Sequence, residues 1–353
     1  MTETPIAPPK LGLFDIMQID PVLGHDVETM FTQRLDNLEY ADTLGFAVAF
    51  TAERHFLPQY AASSATAWLA AASQRTKRMR LGAMGYTLPI KSPVQLAEDI
   101  AVLDLLSQGR LEVGFGIGHR VDELTALGVA AAERISLFQE RLVLLKALWT
   151  GGQVSFQRRD VNIHEVMIAP LSVQEPHPPL WYAGTEPGAA QWMGASGLGL
   201  AVGFKPTAAL VPAVAAFLAG RQSRTPEVVE ADPLRPAGTI ALMRSVIVGE
   251  SDDTVREGVV EDLLRLGETV GTATESNRAD RRQDANDQFD NMVASEVMIA
   301  GGVDTVAGTI RARQAELGFD LFLANVYAMG ANQERIRTTL KLLAGPVREQ
   351  LQP

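Results

Sequence analysis

Short, continuous apolar runs alternate with longer amphipathic stretches along most of the chain. Residues 11–16, 46–51, 79–88, 111–117, 180–183, 198–202, 239–248 and 321–326 read as strands. Between them, 27–44, 65–74, 93–106, 131–148, 208–219 and 333–343 carry apolar positions at helical spacing, as in the stripe Phe31, Leu35, Leu38 and Ala41. Pro93 suits a first helical turn, and Asp252 and Asp304 read as caps of two further helices, the second running to Leu317. The strand runs are solidly apolar rather than alternating, which marks a sheet covered on both faces. Eight such runs separated by helices fit a single (β/α)8 TIM-type barrel over 11–353. An open, doubly wound sheet gives the same rhythm, and periodicity does not separate the two.

Two segments break the rhythm. Residues 152–179 have a strand-like centre and close on Pro176-His177-Pro178-Pro179, the pattern of a hairpin insertion. Residues 267–292 are polar and rich in Arg, Asp, Asn and Gln; a loop of that length reads as a lid or as disorder. Residues 1–10 read as a flexible tail.

Composition narrows the classes. With 353 residues, 46% of them hydrophobic, the chain can bury a sizeable core. A net charge of −11 argues against nucleic acid or an anionic membrane as partner. No cysteine is present, which excludes disulfides, thiolate metal sites and a cysteine nucleophile. The N-terminal stretch lacks the apolar centre of a secretory signal, and no run of about 18 apolar residues occurs, so a cytoplasmic protein is expected. The five histidines, His25, His55, His119, His164 and His177, lack metal-ligand spacing, so no metal is expected. A G-x-S-x-G elbow is missing, which argues against a serine hydrolase.

Barrel active sites sit where strands end at their C-termini. The second strand delivers Glu53, Arg54 and His55 there. His55 suits acid–base work near a ligand, and a Glu–Arg ion pair beside a satisfied histidine fits the same residues. The third strand ends in Met84, Gly85 and Tyr86, where small residues let a flat ligand approach the backbone or simply let strands pack closely. After the fourth come Gly116, Ile117, Gly118, His119 and Arg120; glycines at this spacing are a weak sign of a dinucleotide loop. The fifth ends in Gly184, Thr185, Glu186 and Pro187. Thr185 is placed to cap the following helix, whose first amides form an anion site or an ordinary capped terminus.

Taken in order, these segments resemble the bacterial luciferase-like flavin-dependent monooxygenases from about residue 11 to 343. The clearest stretch runs through Ala52-Glu53-Arg54-His55-Phe56, Leu88-Pro89, Ser92-Pro93-Val94-Gln95-Leu96-Ala97-Glu98-Asp99, Leu103-Asp104 and Gly109-Arg110. Phe138 and Glu140, Leu148-Trp149-Thr150-Gly151, Pro178-Pro179-Leu180-Trp181 and Ala183-Gly184 continue it. The resemblance implies a barrel enzyme using reduced FMN and O2 on a small, mainly apolar organic substrate, with a separate flavin reductase and a homodimeric assembly. It places the flavin phosphate at Thr185 and Glu186 and the ring against Met84, Gly85 and Tyr86, with a non-proline cis peptide at Met84-Gly85. It also implies a mobile lid at 267–292, and a dimer contact on the helices carrying Trp68, Leu69 and 96–106. Two positions depart from the luciferases. Arg54 replaces the first of two adjacent histidines, and Ile117 replaces an arginine between glycines, leaving Arg120 as a candidate substitute. The family also contains deazaflavin-dependent hydride-transfer enzymes, and a flavin-binding protein without turnover is a third reading.

Overall fold

A computed structural model describes residues 7–19, 26–158, 160–225, 240–269, 278–328 and 331–352. Eight parallel strands close into a barrel: β1 (Lys10–Asp15), β2 (Val48–Thr51), β3 (Arg80–Thr87), β4 (Leu111–Gly116), β7 (Leu180–Ala183), β8 (Gly199–Gly203), β9 (Ile240–Gly249) and β11 (Leu321–Asn325). Pairing of β8 with β9 and of β11 with β1 completes the ring. Every run read as a barrel strand is a barrel strand, and closure decides against the open sheet; residue 239 of the seventh run lies outside the described residues.

Side-chain period two divides each strand between two environments. Leu11 and Leu13 of β1 join the large outer core beneath the helices, whereas Phe14 belongs to the barrel interior with Phe50, Met84, Trp181, Met243, Leu321 and Leu323. The interior is graded. Low in the barrel, the Phe50 and Trp181 rings meet edge-on at 5.7 Å, while Trp181 Nε1 donates to Glu112, which also accepts from Arg80 Nε at 2.6 Å. Towards the strand C-termini the inward positions shrink to Ala52, Gly116, Ala183, Ala201 and Gly203. Bulk below and small residues above leave a cavity at the C-terminal end of the strands.

The outer ring includes α1 (Val27–Thr43), α2 (Ala65–Arg75), α3 (Pro93–Leu106), α4 (Val121–Ala126), α5 (Arg134–Trp149), α6 (Pro187–Ala195) and α7 (Thr207–Gln222). Of the helical positions associated with a dimer contact, Trp68, Leu69, Leu96 and Leu103 are buried against the barrel, whereas Val102, Leu105 and Leu106 on α3 are exposed. The expected hairpin is present: β5 (Val154–Arg158) pairs antiparallel with β6 (Val161–Val166). No helix among the described residues is long and apolar enough to cross a membrane.

The segment between β9 and β11 differs from its sequence reading. The first half of β9 pairs within the barrel, and Ser245 to Gly249 continues outward to pair with β10 (Met298–Gly302). Helices α8 (Asp252–Thr269) and α9 (Arg278–Ala294) pack on this extension, so most of 267–292 is helical, with residues 270–277 outside the described part. The polar composition hid α9 because one narrow stripe, Ala285, Phe289 and Met292, carries its packing against Val259, Leu263 and Met298. Caps here also sit one or two residues away from expectation. Ser251, not Asp252, accepts from Thr254 N; Asp252 instead receives Gly302 N at 2.7 Å and Thr305 Oγ1 at 2.8 Å, tying α8 to the start of α10 (Val303–Leu317). Asp304 lies in the first turn of α10, whose N-cap is Gly302.

Candidate functional site

The cavity at the C-terminal end of the barrel measures about 630 Å³, a size suited to a cofactor or small ligand. Its floor is apolar, formed by Phe14, Ala52, Met84, Ala183, Ala201 and Met243. Polar groups stand around the wall on five successive strand ends.

From β2, Glu53 and Arg54 line the cavity and His55 does not. The Glu53 side chain is 1% exposed and accepts from Lys91 Nζ at 2.8 Å and Thr87 N at 3.4 Å, with His55 Nε2 at 3.4 Å. The His55 ring therefore faces Glu53 rather than the ligand space. Arg54 lies over the Tyr60 ring at 5.1 Å, and its buried Nε has no acceptor within the described residues. An unmatched buried donor on a cavity wall fits an anionic or carbonyl oxygen brought by a ligand. Neutralising Glu53 by Glu53→Gln is expected to cost about 1–3 kcal/mol of stability, because Lys91 and His55 lose a buried charge partner. Urea titration of Glu53→Gln, Lys91→Met and the double variant checks this: simple additivity would show that the pair does not couple.

From β3, Met84 and Gly85 reach the cavity, and their peptide bond is cis. A Cβ on Gly85 would lie 2.5 Å from the carbonyl carbon and oxygen of Gly114, so only glycine lets β3 and β4 approach this closely. Tyr86 points the other way. It is 1% exposed beneath the helices, and its hydroxyl meets Thr66 Oγ1 at 3.2 Å.

From β4, Gly116, Ile117, Gly118 and His119 line the wall. Burial, and secondly the positive charge of Arg54, hold the His119 pKa below its ordinary value, which favours the neutral ring. Arg120 lies outside the cavity lining. It bonds the His55 carbonyl at 2.7 Å, pairs with Asp122, and approaches Glu123 at 3.4 Å.

From β7, Gly184, Thr185 and Glu186 line the cavity. The helix cap falls one residue later than expected. Glu186, not Thr185, caps α6, its carboxylate accepting from Gly188 N at 3.1 Å and Ala189 N at 2.6 Å. Thr185 Oγ1 instead accepts from Lys205 Nζ at 2.8 Å. The buried Tyr182 phenol is pushed up to about 12 by burial and by the Glu186 carboxylate, so it remains a hydrogen-bond donor at neutral pH.

Sequence reasoning did not single out Phe204 and Lys205 on the turn after β8, nor Glu123 of α4, all three of which line the cavity. The strand-end rule that located Glu53 would have located Gly203-Phe204-Lys205 had it been applied to the sixth barrel strand.

The family profile described as Luciferase-like monooxygenase matches residues 11–321. The chain belongs to that family. An uncharacterized relative, y4wF of Sinorhizobium fredii, is 29% identical over 327 residues, covering 91% of this chain and 92% of its own. Among solved structures, the oxygenating constituent of 3,6-diketocamphane monooxygenase from Pseudomonas putida, a type II Baeyer–Villiger monooxygenase in complex with FMN, superposes with a TM-score of 0.77 at 17% identity, covering 97% and 98% of the two chains. An F420-dependent secondary alcohol dehydrogenase superposes at 0.70 with 18% identity, covering 96% and 99%. At those identities the likeness is one of fold. As a luciferase-like monooxygenase family member the protein is an oxidoreductase, and a flavin-type cofactor is the coarse expectation its relatives share.

Proposed function

We propose that the protein is the oxygenating component of a two-component monooxygenase, using reduced FMN from a separate reductase, and O2, on a small and mainly apolar organic substrate. The observation that carries this reading is the pairing of an apolar floor with Arg54, whose buried Nε–H has no acceptor among the described residues. When bound, reduced FMN would supply the activation of oxygen, chemistry no protein side chain provides. The protein's share is binding, orientation and exclusion of water. Met84, Gly85 and Ala183 offer a surface for the ring, and Gly184 and Thr185 mark the end for the phosphate. Arg54 donates to developing negative charge on oxygen, and Tyr182 holds its proton nearby. Glu53 and His55 are positioning residues that fix the β2 end behind Arg54. In the same reading a homodimer would use the exposed α3 positions Val102, Leu105 and Leu106, and the helices preceding β10 would act as the lid.

Anaerobic titration with oxidised FMN, reduced FMN and a deazaflavin tests the proposal. Reduced FMN is expected to bind about tenfold more tightly than oxidised FMN, a difference of about 1.4 kcal/mol. Binding of the deazaflavin alone would replace oxygenation by hydride transfer. Tight flavin binding with no oxidation of any substrate class would leave a binding protein, and failure to bind either cofactor would overturn the reading.

A further inference from the structure

The turn after β8 is built with more care than a surface corner needs. Phe204 occupies left-handed backbone at φ 54, a region that disfavours a bulky side chain. Arg244, fully buried on the outward face of β9, donates Nη1 to the Met243 carbonyl at 2.9 Å and Nη2 to the Lys205 carbonyl at 3.0 Å. Burial lowers the Arg244 pKa to about 10, yet the group stays charged at neutral pH, with Glu296 as the neighbouring anion. Glu296 in turn accepts Thr207 N at 2.6 Å and pairs with Arg313 at 2.8 Å. A buried guanidinium is costly unless its bonds are needed. Here those bonds and the Glu296 contact fix the backbone from the Lys205 carbonyl to the Thr207 amide, and the Lys205 ammonium lands on Thr185 across the cavity wall.

Other cations and amides near that wall are committed elsewhere or missing. Ile117 stands where luciferases carry an arginine, Arg120 is bonded to the His55 carbonyl, Asp122 and Glu123, and the α6 amides of Gly188 and Ala189 are capped by Glu186. The Glu186 charge is itself partly offset by the helix N-terminus it caps. Among the described cavity-lining residues, Arg54 and Lys205 are the cationic side chains, and only Lys205 adjoins Thr185.

We infer that Lys205, presented by the Arg244–Glu296 clamp, binds the phosphate ester at the end of the ribityl chain and thereby selects phosphorylated flavins over unphosphorylated ones. This rests on the flavin reading above, and the chemistry is shared by FMN and a phosphorylated deazaflavin. Arg244 is a positioning residue that acts through Lys205.

Fluorescence titration of wild type, Lys205→Met and Lys205→Arg with FMN, riboflavin and phosphorylated deazaflavin tests it. Lys205→Met is expected to weaken FMN binding by roughly 10–100-fold while riboflavin binding, which also reports intact folding, changes by less than about twofold. Lys205→Arg is expected to recover most of the loss. Equal weakening of FMN and riboflavin, or no weakening of FMN, overturns the inference. Equal wild-type affinity for riboflavin and FMN overturns it and leaves the flavin reading intact. Should wild type bind the phosphorylated deazaflavin and not FMN, the same loss at Lys205→Met measured with the deazaflavin supports the anchor and replaces FMN as the cofactor, and no loss there overturns the inference. Absence of any flavin binding defeats both.

Discussion

Gly220→Val is expected to destabilise the protein by about 3 kcal/mol or more, with a matching fall in the urea midpoint. Helices α6 and α7 cross at two glycines. A Cβ on Gly220 would lie 1.9 Å from the Gln191 carbonyl oxygen, and one on Gly194 would lie 2.3 Å from that of Phe217. Both obstacles are backbone atoms of regular helix, so no side chain can swing aside, and the helices must separate. Separation would also move the start of α6, where Glu186 and Thr185 meet the cavity, so ligand binding should weaken with stability. The contrast is Gly308 of α10, where an added Cβ meets nothing within 4 Å. Gly308→Ala is expected to stabilise by about 0.5–1 kcal/mol through better helix propensity and a less flexible unfolded chain. A Gly220→Val midpoint equal to that of wild type would show that the crossing is looser than its geometry.

The barrel was legible because its strands are short apolar runs between long amphipathic ones, a contrast that survives without any knowledge of contacts. The exceptions have physical causes. β10 reads Met-Ile-Ala-Gly-Gly, too short and too rich in glycine to announce a strand, and it exists because β9 outgrows the barrel and offers an edge. Helix α9 packs through a single narrow stripe, so composition outvoted periodicity. At the site, the strand-end rule led to segments that reach the cavity but not to which of their residues line it. Tyr86 follows Gly85, and His55 follows Arg54; in each pair the first lines the cavity and the second does not. Past the strand ends side chains no longer alternate regularly, since Ala52, Glu53 and Arg54 line the cavity in succession, and sequence without register cannot say which residue faces inward. The cap at Glu186 rather than Thr185 is the same kind of one-residue ambiguity. Lys205 escaped because its importance lies in a partner 20 positions earlier in the chain.

Arg54→Met is expected to lower kcat by roughly 100–1,000-fold while reduced-flavin affinity changes little, the pattern for a donor used mainly in the transition state. A buried guanidinium N–H with no acceptor among the described residues carries a desolvation cost, and oxygen bearing developing charge is what would repay it. Arg54→Lys should recover only part of the rate, because an ammonium cannot reproduce the planar fork or its stacking on Tyr60. A second readout separates this role from mere packing. The His119 pKa is lowered first by burial and then by Arg54, so removing that positive charge lets it rise. Any activity that needs neutral His119 should then lose its acid limb at higher pH than in wild type, and the shift should persist in Arg54→Met but not in Arg54→Lys, which keeps the charge. If kcat holds and the acid limb stays in place, Arg54 is a stacking partner of Tyr60 and the oxygen-binding role belongs to another group on the wall, with Tyr182 the nearest in chemistry. If kcat falls while the acid limb stays, Arg54 acts on the reacting oxygen alone and His119 takes no part in the proton inventory.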